Sequence, residues 1–238
     1  VPLNLGLGLL LGLLIGGTAA LVLEQLQESV ILPEEFQTKL RIALLGSTPA
    51  TDAVSRHKFL ASKPTSRPAL ARSLSENKEV AEAYFSVLTA VQFSTPNGAP
   101  RTLAVTSTQP LEGKSTTAMA LARGLASVGN RVLLIDADMR NPSIHRQLGI
   151  ASGDGLSNLL TKRAKLEDVV LETEFRGLSV VTAGPIPPNP AELLAGDGLS
   201  KILKGALDSF DHVVIDSPPV LGLADAPLIT RASEGTVF

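Results

Sequence analysis

The sequence predicts an α/β protein: a parallel sheet flanked by helices, preceded by an apolar helix and a linker. Three observations carry this. A short apolar strand, Leu103 to Thr106, runs through a loop into Gly113-Lys114-Ser115 and a helix from Thr116 to Ser127. A second apolar strand, Arg131 to Asp136, ends in an aspartate. A third, Val213 to Ile215, ends in another, Asp216. Short apolar β-branched runs bounded by turn residues read as buried strands.

The 238 residues suffice for one domain plus extra segments. A net charge of −2 gives no basic balance, so no nucleic-acid partner is expected. The absence of cysteine excludes a disulfide scaffold and a thiolate metal site, and three histidines make a His-rich cluster a poor expectation. The chain begins at Val1 and stops within an apolar run, so it reads as a piece of a longer protein.

Residues 1–23 carry no charge, and Glu24 is the first. As a helix, Leu3 to Leu23 would span about 31 Å, the thickness of a bilayer core, so this segment is expected to cross the membrane. Gly8, Gly12, Gly16 and Ala20 recur every four residues and would make a close-packing stripe. Residues 24–77 read as a juxtamembrane segment, amphipathic to Leu45 with a break at Pro33, and then a Ser/Thr/Ala/Pro-rich linker. Seven Lys/Arg lie between Glu24 and Ser75, which assigns the C-terminal side to the cytoplasm. Residues 78–238 form the expected globular domain. It opens with an amphipathic helix from Glu79 to Phe93, whose Val80, Ala83, Tyr84, Val87, Leu88 and Val91 share a face. Tyr84, the sole tyrosine, is therefore read as core.

Strand, loop, Gly-Lys-Ser and helix is the context of a phosphate-binding P-loop, so the sheet is expected to be P-loop NTPase-like. The candidate cradle is Thr108, Gln109, Pro110, Leu111, Glu112, Gly113, Lys114, Ser115 and Thr116. Backbone N–H groups at the helix start would face the phosphates. Lys114 would reach the β and γ phosphates, and the Ser115 hydroxyl would ligate Mg²⁺. The usual first glycine of the motif is Thr108 here. Asp136 and Asp138 leave the end of the second strand, where open α/β sheets place ligands; the alternative is a helix cap plus a surface acid. Asp216 stands as a Walker-B-type carboxylate. Gly155 to Val170 reads as a helix, Leu178 to Thr182 as a strand and Leu199 to Leu207 as a helix. Asn189, Pro190 and Glu192 read as a capped helix start.

Together these stations resemble the bacterial tyrosine kinases, the cytoplasmic domains of polysaccharide co-polymerases. The similar runs are Thr106 to Thr116, the D-x-D-x-R run of Leu133-Leu-Ile-Asp136-Ala-Asp138-Met-Arg140, and Val213-Val-Ile-Asp216-Ser-Pro-Pro219 with Asp225-Ala226 downstream. Pro142, His145 and Pro188-Asn-Pro-Ala-Glu-Leu-Leu194 also sit in family-like places. The resemblance covers about Lys78 to the end. It implies ATP with Mg²⁺ as cofactors, and a homo-oligomer that phosphorylates tyrosines in trans. It also implies the polysaccharide polymerisation and export machinery as partner, at the bacterial inner membrane. Ser115, Asp136 and Asp216 would hold the metal. Lys114 would neutralise phosphate charge, and Asp138 or Asp136 would accept the tyrosine proton. Arg140 would either stabilise phosphate charge or hold a neighbouring subunit. His145 is read as structural.

Three departures stand out. Leu111 replaces a frequent glycine, which requires φ below zero there. Phe85 and Leu88 replace the two arginines of the family's E-x-x-R-x-x-R oligomerisation helix, which begins at Glu82. The tyrosine cluster of the family is not within this sequence. Two further classes stand beside the kinase reading: a partitioning-type P-loop ATPase, and a nucleotide-binding chain-length regulator with little kinase activity.

Overall fold

The uncharged runs that read as strands are buried on both faces, as a parallel sheet covered by helices requires. The computed structural model describes residues 6, 8, 11–13, 16–18, 43–48 and 78–238. The chain divides into two compact units, Val1–Leu44 and Leu45–Phe238. In the first, residues 6, 8, 11–13 and 16–18 are helical and exposed. Among the described residues no helix is long and apolar enough to cross a membrane. Most of the apolar segment, the juxtamembrane segment and the linker lie outside the described residues.

The second unit runs α1 (Lys78–Gln92), β1 (Thr102–Val105), α2 (Lys114–Ser127), β2 (Val132–Asp136), α3 (Ile144–Leu148), α4 (Leu156–Leu160) and α5 (Leu166–Val169). It continues with β3 (Leu171–Glu172), β4 (Leu178–Val181), α6 (Pro190–Leu194), α7 (Gly198–Ala206), β5 (His212–Asp216), α8 (Asp225–Ala232) and β6 (Gly235–Val237). The sheet order is β3-β4-β2-β5-β1-β6. All pairings are parallel except β3 with β4, so the expected parallel sheet carries an antiparallel edge.

Alternation along each strand divides the core in two. Leu103, Val105, Val132, Leu134, Val180 and Val214 face α1 and α2. Ala104, Leu133, Ile135, Val213 and Ile215 face α4, α6, α7 and α8. A fully buried Leu or Ile contributes roughly 1.5–3 kcal/mol, so these layers hold the strand ends in place. On α1, Val80, Val87, Leu88 and Val91 are buried, and Tyr84 is half-buried on the face that reads as core. Gly124 of α2 makes room for Leu88: a Cβ there would meet Leu88 Cδ2 at 2.7 Å. Position 88 therefore serves packing, whereas Phe85 is exposed.

The single helix expected over Gly155 to Val170 is two short ones. Lys162 is left-handed at φ 57, its N–H bonds to Leu159 O, and Arg163 N–H bonds to Asn158 O. That paired arrangement is a helix stop made without glycine. Asn189 does precede the first turn of α6 with Pro190 at its start, but its side chain donates to Glu192 Oε2 at 3.2 Å rather than capping a backbone N–H.

The loop between β1 and α2 overturns one expectation. Leu111 does not keep φ below zero; it sits at φ 71, followed by Gly113 at φ 90. The chain must reverse from strand to helix within this loop. Ser107 Oγ donates to Gln109 O at 2.8 Å, and Gln109 N–H donates to Glu112 Oε2 at 3.0 Å. The Leu111 side chain is 88% exposed. Outward projection spares it packing clashes, but a left-handed L-residue still costs about 1–2 kcal/mol. Leu111→Gly is therefore expected to raise stability by up to about 1 kcal/mol, and Gly113→Leu to lower it by about 1–2 kcal/mol, in urea unfolding. Equal effects of the two substitutions would contradict the strain assigned to Leu111.

Candidate nucleotide site at the carboxyl edge of the sheet

Strand register assembles the site. Asp136 is paired with Asp216 across β2 and β5, and Val105 with Asp216 across β1 and β5. The two acids thus lie side by side at the carboxyl edge, next to the point where the loop leaves β1. That loop is framed from both sides. Thr106 N–H donates to Val237 O at 2.9 Å, and Thr106 Oγ1 to Pro218 O at 2.8 Å. Val220 N–H and Leu221 N–H donate to Ser107 O and Thr108 O.

Helix α2 begins at Lys114 with no side chain capping its start. Its first N–H groups have no intrahelical acceptor, and the helix dipole adds positive potential there. A Cβ added at Gly113 would meet nothing within 4 Å, so open space lies beside the loop. An anion fits these features. Gln109, Pro110, Leu111 and Glu112 are exposed, Thr108, Gly113, Lys114 and Thr116 half-buried, and Ser115 buried.

One ammonium faces three carboxylates. Lys114 Nζ lies 2.7 Å from Asp138 Oδ2 and 3.8 Å from Asp216 Oδ1, and donates to Ser115 Oγ at 3.3 Å. Asp136 Oδ2 accepts N–H bonds from Ser143 and Ile144, both at 3.0 Å. Asp136 Oδ1 and both Asp216 oxygens are buried without a hydrogen bond. Burial pushes the Asp216 carboxyl up to about 7 against the pull of Lys114. It pushes Asp136 up to about 6 against the Ile144 and Ser143 N–H groups. Burial acts to lower Lys114, yet Asp216, Asp138 and Asp136 together hold it above its ordinary value.

Buried acceptors left without a donor are what a hard cation satisfies. Among the described residues no three acids or histidines converge as a complete metal cage. A Mg²⁺ ion fits here only with phosphate oxygens and water completing its shell, alongside Ser115, Asp136 and Asp216.

Arg140 stands apart from this group. Its Nε donates to Asp225 Oδ2 at 2.6 Å and its Nη2 to Asp225 Oδ1 at 3.1 Å. Asp225 is buried in the first turn of α8. In the chain by itself Arg140 holds the loop after β2 to α8. Asp225 is the partner that sequence reasoning left without a role. Its only signal was its family-like place nine residues after Asp216. His145 is half-buried on α3, and burial holds its ring below the ordinary value.

The AAA domain model matches residues 101–234. The chain is 38% identical over 157 residues to the tyrosine-protein kinase YwqD of Bacillus subtilis, covering 66% of each chain. It is 39% identical over 167 residues to the tyrosine-protein kinase CpsD of Streptococcus agalactiae, covering 69% of this chain and 72% of that one. The solved kinase domain of the Escherichia coli tyrosine kinase Etk superposes with a TM-score of 0.75 at 27% identity, over 85% of this chain and 80% of that one. The chain spans about two thirds of the length of YwqD, and 31% of the longer tyrosine-protein kinase ptk of Acinetobacter johnsonii. Strand order, loop, acids and sequence agree, and the chain belongs to the bacterial tyrosine-protein kinase family.

Proposed function

We propose that this chain binds ATP with Mg²⁺ on the loop from Thr108 to Thr116 and transfers the γ-phosphoryl group to protein tyrosine. The observation that carries the reading is Lys114 at an uncapped helix start, set against buried oxygens of Asp136 and Asp216 that lack a hydrogen bond. Lys114 would meet the β and γ phosphate oxygens, and the N–H groups of Gly113 to Thr116 would orient them. Ser115, Asp136 and Asp216 would hold the cation. Mg²⁺ there would neutralise charge on the phosphate oxygens. Phosphoryl transfer depends mostly on such positioning and electrostatics. Of the two candidate bases, Asp138 suits the proton better. Asp136 Oδ2 is committed to two backbone N–H groups, while Asp138 Oδ2 meets only a side chain that can move.

The same reading puts residues 1–23 across the bacterial inner membrane, residues 24–77 as juxtamembrane segment and linker, and residues 78–238 in the cytoplasm as the kinase domain. The uncharged run before Glu24 and the Lys/Arg after it support this. Capsular or exopolysaccharide polymerisation and export would be the regulated process, through a homo-oligomer phosphorylating in trans. Loss of carbonate-resistant membrane association on deleting residues 1–23 tests the anchor; unchanged association refutes it.

Lys114→Ala is expected to lower transfer of labelled phosphate from ATP to tyrosine by roughly 100-fold or more. Free phosphate release without phosphotyrosine in the unsubstituted protein would point to an ATPase instead. Asp216 supplies a pH test. A cation needs its carboxylate ionised, so Mg²⁺-dependent nucleotide affinity should rise between pH 6 and 8 and release protons, by calorimetry. Its folded value, about 7, lies above the ordinary 3.8, so metal-free stability falls as pH rises from about 4 to about 7 and levels off above that. Asp216→Asn should therefore stabilise the metal-free protein at pH 8 by about 1–3 kcal/mol while abolishing Mg²⁺-dependent binding.

A further inference from the structure

Lys114 does not sit evenly among its acids. It donates to Asp138 Oδ2 at 2.7 Å and to Ser115 Oγ at 3.3 Å, while Asp216 Oδ1 lies at 3.8 Å, beyond hydrogen-bond reach. The contact with Asp138 is the short one, and it is shielded. Lys114 is 10% exposed at its side chain and Asp138 4%. Both Asp138 oxygens are engaged, because the other one, Oδ1, accepts the Asn141 N–H at 3.0 Å. Asp216, by contrast, has both oxygens without a hydrogen bond. In this state the ammonium and Asp138 satisfy each other. A nucleotide phosphate that draws the ammonium onto its own oxygens must weaken the contact with Asp138.

We propose that Asp138 competes with the nucleotide phosphates for Lys114, and that surrendering the lysine frees Asp138 to take the tyrosine proton. The inference rests on the nucleotide-binding reading above and goes beyond it by coupling two residues in sequence. Before nucleotide enters, the lysine blocks the only Asp138 oxygen not held by backbone. Once the phosphates hold Lys114, Oδ2 is open to a phenol. The phenolic proton then passes to Asp138 Oδ2 as the phenolic oxygen bonds to the γ-phosphorus. The bond from that phosphorus to the β,γ-bridging oxygen breaks, and ADP leaves with the electron pair. The base is thus uncovered only when the phosphoryl donor is in place.

The pair has a measurable consequence. A binding-competent form that is only fractionally populated lowers apparent affinity by that fraction. Removing the competitor should tighten nucleotide binding, even though it removes a group needed for transfer. The experiment is titration of the full chain with a fluorescent ADP and with a non-hydrolysable ATP, comparing the unsubstituted protein, Asp138→Asn and Glu167→Gln, the last removing one exposed acid on α5 outside the loop. Asp138→Asn should bind both nucleotides roughly tenfold more tightly, and Glu167→Gln should stay within about twofold. Because the pair is buried, the gain should persist in about 0.5 M KCl, where an effect of net charge alone would be screened. Phosphate transfer to tyrosine by Asp138→Asn should be lost. Unchanged or weaker affinity, a gain that disappears in salt, or retained transfer would each overturn the proposal. If Asp138→Asn does not fold, Asp138→Ser takes its place with the same expectations. Failure of the unsubstituted protein to bind either nucleotide would instead strike the function proposed above.

Discussion

A single buried ammonium held among three carboxylates is the constraint on which the carboxyl edge of this sheet depends. Three acids cannot all be neutralised by Lys114, and the fold nevertheless keeps them dry. The cost appears as carboxyls pushed upward at Asp136 and Asp216. Such a cluster is stable only in a scaffold that over-determines it, here two neighbouring strands in fixed register with apolar layers on both faces. What is left uncompensated is negative charge on the acids and positive potential at the helix start, which is the complement of a metal–phosphate complex.

The loops around this cluster behave as one frame. The segment after β5 bonds to the loop after β1 through Thr106, Ser107 and Thr108. The segment after β2 is tied to α8 by Arg140 and Asp225. An arginine engaged side-on by a buried acid is a strong positional restraint, because breaking it leaves a buried charge without a partner. Leu111 is the one place where the frame holds a residue against its backbone preference. Its outward side chain explains how the protein tolerates it.

The α1 helix illustrates how a family resemblance is modified locally. Leu88 takes a core position opened by Gly124, while Phe85 faces outward three residues earlier. One helix face therefore follows the demands of packing, and the other does not present the charges of the related motif. The antiparallel β3 edge is similarly local: two residues, too short to leave a periodic trace.

Most of the scaffold was legible in the chain. Leu103 to Thr106, Val132 to Ile135 and Val213 to Ile215 announced buried strands because short apolar runs bounded by turn residues have few other uses. Gly113-Lys114-Ser115 announced an anion cradle because its chemistry is local, confined to one loop and one helix start. The D-x-D-x-R run marked the acids without saying what each would touch. The break at Lys162 was hidden, since a left-handed stop without glycine leaves no compositional mark. The φ of Leu111 was misjudged for the same reason: a residue type biases a dihedral, but the surrounding hydrogen bonds decide it. Lys114 with Asp138, and Arg140 with Asp225, are 24 and 85 residues apart. By itself the sequence determined the central strands, the cradle and the identity of the acids, because these depend on neighbours along the chain. Only the tertiary structure decided which acid holds the lysine and which holds the arginine, because strand order and register bring distant residues together.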